Sequence, residues 1–320
     1  MKTGWKHLSS RFFPVAVPTK CVACGAKLDP YVPTCSRCGR REASRVKPAV
    51  TEKPTGFTRI GHLTDLHLGK KRTLSHGAPP EYQLKAWLQL MGTLETDGVT
   101  ISGDLIENPG DLSTIDRAFE ILKNSGLPTF VVPGNHDVNL TDIDRHFHEY
   151  FGPYPRVEVV GSVEIILFDS LNGLRRHERN LLEKGFALLA VWTEGAIGEN
   201  QYADASRLLQ NRSAESRLIV VHHHVHPQPP ERIFGRIDDE TINTMRPMLD
   251  GHRMIEWAKQ HSASTLVHGH KHSFMQPGVT DGLLILNGGS STHGAQRNRA
   301  RVVDFGPGGD RWIHELQLNT

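Results

Sequence analysis

Five short apolar runs, each ending in side chains that can bind a metal, constrain most strongly what this chain can fold into. Each run has the length of a β-strand and is rich in β-branched residues. The runs with their polar ends are TRIGHLTDLHLG, GVTISGDLIE, TFVVPGNHD, SRLIVVHHHVHP and STLVHGHKHSF, at residues 58–69, 98–107, 129–137, 216–227 and 264–274. The pattern predicts five strands that all deliver ligand-type residues where they end.

Helical patterns separate these runs and indicate the fold class. They cover residues 81–96, 112–125, 142–151, 200–211 and 241–261. Alternating strands and helices predict an α/β fold, in which binding residues gather beyond the carboxyl ends of the strands. We therefore expect the five polar ends to converge on one rim of the molecule.

The residue types at these ends favour a particular metal chemistry. They are Asp, Asn and His without Cys or Met, a mixed oxygen and nitrogen set that suits manganese, iron or zinc. Seven candidate ligands are too many for one ion. They suit two ions that share a bridging carboxylate, roughly 3.5–4 Å apart as in two-metal hydrolases.

All four cysteines lie in one short segment near the start of the chain. They form two C-x-x-C pairs, Cys21 with Cys24 and Cys35 with Cys38. Two such turns can supply the four thiolates that Zn²⁺ prefers, and the metal would provide most of the folding free energy of so small a unit. Disulfides are the alternative, and they fit poorly with a chain in which we identify no secretory signal. The segment resembles short zinc ribbons, whose closed metal site favours partner binding over catalysis.

The sequence divides into a basic head and an acidic body. We predict an N-terminal tail at 1–20, the zinc ribbon at 21–39, a flexible linker at 40–56 and the main domain at 57–320. Residues 1–53 hold eleven Lys and Arg against three acidic residues, a difference of +8. Such a head could meet nucleic acid, a membrane surface or an acidic protein, or it could be a solvated tail. The longest apolar runs are too short to span a bilayer, and we expect a cytoplasmic location.

The ordered motifs of the body resemble those of calcineurin-like metallophosphoesterases. The matching motifs are Asp65-x-His67, Gly103-Asp104, Gly134-Asn135-His136-Asp137, the histidine run from His222, and Gly269-His270-x-His272. The resemblance implies a four-layer αββα sandwich with a two-metal site at the sheet edge. The later stretches LLILNGGSSTHG and RVVDFGPGGDRWIHELQL resemble the closing strands of cyclic-nucleotide-phosphodiesterase-like members.

Carried over to this sequence, the resemblance implies a role for each motif residue. One metal would be held by Asp65, His67 and His272, the other by Asn135, His223 and His270, with Asp104 bridging. His223 is chosen by similarity to members with three histidines here, and His222 remains the alternative because Val225 stands where a proline often follows the run. His136 matches the catalytic histidine, which stabilises charge or protonates the leaving oxygen, and Asp137 matches the carboxylate that orients it.

Three functions are compatible with these observations. The first is a metal-dependent phosphoester hydrolase, a phosphodiesterase that acts on a small molecule such as a cyclic nucleotide. The second is a nuclease or other nucleic-acid phosphoesterase tethered by the basic ribbon. The third is a non-catalytic scaffold whose ribbon is the functional module. A complete set of converging ligands argues against the third, since a scaffold has no need of one.

Overall fold

In the part of the chain that the structure describes, two mixed β-sheets of six strands each form the centre of the fold. The computed structural model describes residues 44–47 and 52–318, except 71–78, 109–110, 139–142, 174–194, 226–247, 273, 275–276, 281 and 293–297. The predicted N-terminal tail and zinc ribbon lie outside the described residues. The two sheets confirm the predicted α/β class.

The strands of the first sheet come from both ends of the described chain. In spatial order they are β1 (Ser44–Lys47), β12 (Arg311–Gln317), β11 (Arg299–Phe305), β2 (Thr58–Leu63), β3 (Gly98–Ser102) and β4 (Thr129–Val132). Strands β2, β3 and β4 are parallel to one another, whereas β11 is antiparallel to β2 and to β12. The carboxyl ends of β2, β3 and β4 therefore share one edge of the sheet.

The second sheet repeats this arrangement with later strands. Its order is β5 (Arg156–Val160), β6 (Val163–Leu167), β7 (Ser216–Val220), β8 (Thr265–His268), β10 (Leu283–Asn287) and β9 (Gly278–Thr280). The strands from β6 to β10 in this order are parallel, and the two edge strands are antiparallel to their neighbours. Strands β7 and β8 deliver their carboxyl ends to the same edge.

Helices cover the outer face of each sheet. They are α1 (Pro80–Thr93), α2 (Leu112–Asn124), α3 (Ile143–Phe151), α4 (Glu199–Leu208) and α5 (Gly251–Gln260). Their ends differ from the predicted ones by a few residues, which is usual for helix termini. The larger difference is at α5, where Met248 pairs in a β-bridge with Gly195 instead of joining the helix. None of these described helices has the length and apolarity needed to cross a bilayer.

Three apolar cores hold these layers together. Helices α1, α2 and α3 pack on the first sheet around Trp87, and α4 and α5 pack on the second sheet around Trp257. A third core lies between the sheets. Along β7, Leu218 and Val220 point into this third core, whereas Ile219 and Val221 point toward α4 and α5. This alternation places the two adjacent histidines that follow β7, His222 and His223, on opposite sides of the strand.

One strand lies inside the segment predicted as a linker. Within residues 40–56, Ser44–Lys47 forms β1 and pairs in parallel with Arg311–His314 of β12. Further along the same segment, Lys53 lies 2.8 Å from the carboxylate of Asp97. Ser44–Lys47 and Lys53 therefore contact the first sheet or its loops, although the charged, aperiodic sequence of this segment predicts no such contact.

Candidate metal centre

The predicted ligand residues lie in loops that leave the parallel strands of both sheets. The loops after β2, β3 and β4 carry the motif residues from Asp65 to Asp137. The loops after β7 and β8 carry the later histidines, from His222 to His272. Nine non-glycine residues of the described structure have a positive φ, and five of them belong to the predicted set: Asp65, His67, Asp104, His270 and His272. Each such conformation costs about 1–3 kcal/mol and is typically retained at functional sites.

Two glycines allow these loops to approach one another. Gly103 has a φ of 86°, and a Cβ added there would collide with the ring of His222. A Cβ added at Gly134 would collide with the carboxylate and the backbone nitrogen of Asp104. Both motif glycines are therefore required by close contact with neighbouring predicted ligands.

The first group of ligand atoms comes from the loops after β2, β3 and β8. The Nε2 atoms of His67 and His272 are 3.1 Å apart, and the second of these is 3.0 Å from Asp65 Oδ1. The Nε2 atom of His67 is also 3.7 Å from Asp104 Oδ2. Ligands bound to one ion at about 2.1 Å lie at most about 4.2 Å apart, so these four side chains can hold one metal.

The second group combines β4 with the second sheet. Asn135 Oδ1 lies 3.0 Å from His222 Nε2 and 3.1 Å from His270 Nδ1, and these two nitrogens are 3.2 Å apart. The other carboxylate oxygen of Asp104, Oδ1, is 3.5 Å from His222 Nε2. Asp104 thus directs one oxygen toward each group, as a bridging carboxylate would.

The contacts of His222 indicate which of its ring nitrogens is available to a metal. His222 Nδ1 lies 2.8 Å from the carbonyl oxygen of Ser102, which cannot donate, so this nitrogen carries the ring proton. Nε2 is then the ring atom that remains available to a ligand, and it lies 3.0 Å from the oxygen of Asn135. A cation near both atoms would be bound by the nitrogen and the oxygen together. The donor set therefore fits a metal ion.

The electrostatics of the site act differently on its two histidines from the loop after β8. Burial lowers the pKa of His270 to about 3, so its ring is neutral. Burial alone would raise the pKa of Asp65 and Asp104, but neighbouring histidines outweigh it and hold both pKa values below the usual range. Burial would lower the pKa of His272, but the carboxylate of Asp65 outweighs it and raises that pKa above the usual value. Neutral imidazoles and ionised carboxylates are the forms that bind metals, so a metal bound at His272 would displace a proton.

His223, the histidine chosen from the sequence, lies beside this second group, and a nitrogen of its ring is within 4.8 Å of ring nitrogens of His222 and His270. Its Nδ1 atom is 2.8 Å from Ser170 Oγ, and its ring packs against Gly195. Its ring centroid is still 4.4 Å from that of His270, and its fully buried position places it directly behind the site. The alternation along β7 accounts for the difference, because His222 continues the face of Leu218 and Val220 and His223 the opposite face.

His136 and Asp137 occupy different parts of the loop after β4. His136 is half-buried, its Nδ1 atom lies 2.8 Å from the carbonyl oxygen of Glu107, and its ring is edge-on to His67. The buried carboxylate of Asp137 accepts hydrogen bonds from the backbone nitrogens of Gly134 and Ile106 at 2.8 and 2.9 Å. Asp137 therefore ties two site loops together, and the ring of His136 is oriented by a backbone carbonyl.

Two contributions to the site were missed in the sequence. The carboxylate of Glu107 lies 2.8 Å from His67 Nδ1 and 2.8 Å from Lys70 Nζ. The second contribution comes from the Ser290–Thr292 segment, in which Ser290 Oγ donates a hydrogen bond to the carbonyl oxygen of Asp65 at 2.9 Å. The spacing Asp104-x-x-Glu107 and the hydroxyl run after β10 were visible, but their partners are distant in the sequence.

Comparison with known proteins gives the family. The model of the calcineurin-like phosphoesterase family matches residues 58–274, which include every strand-end motif described above. The chain belongs to the calcineurin-like phosphoesterase family. It is a metal-dependent phosphoesterase, and its clustered Asp and His side chains form the two-metal site typical of this family.

Similar proteins are found among both curated sequences and solved structures. A probable cyclic nucleotide phosphodiesterase of Psychrobacter arcticus is 25% identical over 234 residues, which is 67% of this chain and 79% of that protein. A dimetal phosphatase from Danio rerio has a TM-score of 0.56 at 14% identity, covering 82% of this chain and 99% of that one. The purple acid phosphatase PPD1 from yellow lupin has a TM-score of 0.50 at 10% identity, covering 84% and 55%. Both structures share the fold described above.

Proposed function

We propose that this calcineurin-like phosphoesterase hydrolyses a phosphodiester bond of a small molecule, with a cyclic nucleotide as the substrate class. The observation that carries the proposal is the position of Asp104, whose two oxygens face two separate ligand groups beside the half-buried ring of His136. The substrate class is supported by the Psychrobacter arcticus relative, which is named a probable cyclic nucleotide phosphodiesterase.

The proposed ligand assignment follows the two groups of converging atoms. Asp65, His67 and His272 would hold one ion, Asn135, His222 and His270 the other, and Asp104 would bridge them. His222 takes the place first given to His223, because its Nε2 atom faces Asn135 and His270 whereas His223 Nδ1 faces Ser170. The oxygen and nitrogen donors suit manganese, iron or zinc.

The protein's own residues perform the remaining tasks. When bound, the metal pair lowers the pKa of water and neutralises charge on the phosphoryl oxygens. Asp104 holds the two ligand groups at a fixed separation, since each of its oxygens faces one of them. His136 uses Nδ1 for the Glu107 carbonyl, which leaves Nε2 to hold a proton for the leaving oxygen. The backbone N–H of His136 donates to Asp104 Oδ1 at 2.9 Å and so fixes the acid relative to the bridge.

The cysteine pairs are proposed as a separate structural zinc site. Cys21, Cys24, Cys35 and Cys38 lie outside the described residues, and their spacing is the support for this site. The charge difference of +8 in residues 1–53 favours one alternative function, in which the substrate is a nucleic acid that the ribbon holds. Binding of a single-stranded oligonucleotide that weakens steeply with salt, together with its cleavage, would favour this alternative.

A substrate panel tests the proposed function. The full-length protein would be assayed with Mn²⁺, Fe²⁺ or Zn²⁺ on 3′,5′-cyclic nucleotides, an aryl phosphodiester, an aryl phosphomonoester and a single-stranded oligonucleotide, with Asp104→Asn as the inactive control. We expect the highest kcat/KM on a cyclic nucleotide. Faster turnover of the monoester, or cleavage confined to the oligonucleotide, would contradict the proposal.

A further inference from the structure

Glu107 contacts three parts of the site with its backbone and its carboxylate. Its backbone N–H donates to the carbonyl of Leu68 at 2.9 Å, and its own carbonyl lies 2.8 Å from His136 Nδ1. One carboxylate oxygen lies 2.8 Å from His67 Nδ1 and the other 2.8 Å from Lys70 Nζ. This residue thus contacts the loop after β2, a predicted metal ligand and the predicted catalytic acid.

Backbone pairing places Glu107 beside the loop after β2. The loops after β2 and β3 run alongside each other, with His67 N–H donating to Asp104 O and Leu68 N–H to Leu105 O, both at 2.9 Å. A β-bridge between Leu68 and Ile106 continues this pairing. Glu107 follows the bridge directly, so its side chain is set against His67 by paired backbone.

We propose that Glu107 is a positioning residue for the metal ligand His67, and that Lys70 is the positioning residue for Glu107. A histidine that binds a metal through Nε2 commonly donates its Nδ1 proton to a carboxylate, which fixes the tautomer and the ring orientation and raises ligand basicity. Lys70 holds the second oxygen of that carboxylate and balances its charge. This inference rests on the proposed function, because it takes His67 as a ligand.

An ordinary surface ion pair provides the matched comparison. Lys53 and Asp97 are also 2.8 Å apart, with side chains 23% and 34% exposed against 28% and 22% for Lys70 and Glu107. Asp97 precedes β3 and accepts a hydrogen bond from the backbone of Arg59 near the start of β2. This second pair therefore lies at the end of the strands opposite the metal centre.

The test measures metal binding by the full-length apo protein with Mn²⁺ as the probe. In Glu107→Gln the backbone contact to His136 is kept, but the amide cannot accept from both His67 and Lys70. We expect the affinity of one of the two metal positions to fall by about 10–100-fold, with kcat largely restored at saturating Mn²⁺. Lys70→Met should give a smaller fall, Lys70→Arg should recover most of it, and Lys53→Met should bind Mn²⁺ like the wild type.

Coupling between the two residues gives a second readout. If Lys70 acts through Glu107, the double variant Lys70→Met with Glu107→Gln should bind Mn²⁺ no more weakly than Glu107→Gln alone. Wild-type affinity in both single variants, in protein that retains its melting temperature, would overturn the inference. If Glu107→Gln did not fold, Lys70→Met with the Lys53→Met control would decide. A wild-type protein that binds no pair of metals would instead contradict the proposed function.

Discussion

Separate replacement of His222 and His223 by alanine should have different effects on metal binding. Both rings are fully buried, so both substitutions should lower the free energy of unfolding, by about 2–5 kcal/mol for a large-to-small change. His222→Ala also removes a nitrogen that faces Asn135 and His270 at 3.0 and 3.2 Å. Losing a direct ligand should cost more than the 10–100-fold typical of an outer partner, so we expect a fall of at least about 100-fold, or about 2.7 kcal/mol.

Metal content and thermal unfolding of the two variants separate these effects. Elemental analysis after equilibration with Mn²⁺ should find one active-site metal lost from His222→Ala and both retained in His223→Ala. Both should melt below the wild type, which makes each the stability control for the other. Loss of metal from His223→Ala with full occupancy in His222→Ala would refute the argument from the alternation along β7.

Two further predictions concern the proposed catalytic acid, His136, and the buried carboxylate of Asp304 in the first sheet. His136→Ala should keep both metals but lower kcat by about 10²–10⁴-fold on a diester with a poor leaving group, and by much less with a nitrophenyl leaving group; equal losses on both would contradict its role. Asp304→Asn should make unfolding less dependent on pH. Burial would raise the pKa of Asp304, but hydrogen bonds from Arg59 and His314 outweigh it and lower that pKa below the usual value. The ionised carboxylate therefore stabilises the fold above the unfolded pKa of about 4, and this stabilisation is lost as the pH falls through the folded pKa. Chemical unfolding at pH 7 should show the variant about 3–5 kcal/mol less stable, with the difference shrinking in acid; a constant difference would contradict this.

The strand-end motifs were predictable because their signal is local. An apolar run and the Asp, Asn or His residues that follow it lie within a dozen positions, and parallel strands bring such ends to one edge. The choice between His222 and His223 was different. Both faces of β7 are buried, so Leu218, Ile219, Val220 and Val221 are equally apolar, and the sequence contains no alternation that reveals which face meets the first sheet.

Glu107 illustrates a second limit. Its role depends on pairing between the loops after β2 and β3, and on the backbone carbonyl that it offers to His136. The sequence on either side of Glu107 does not indicate these contacts. The same holds for β1, whose sequence is charged and aperiodic and whose strand conformation depends on pairing with β12, more than 250 residues away.

Anomalous diffraction from crystals of active, Mn²⁺-loaded protein tests the central claim most directly. We predict two manganese peaks roughly 3.5–4 Å apart on either side of the Asp104 carboxylate, with hydrolysis abolished when chelation removes them. A single peak, or activity that persists in protein without metal at this position, would contradict the account.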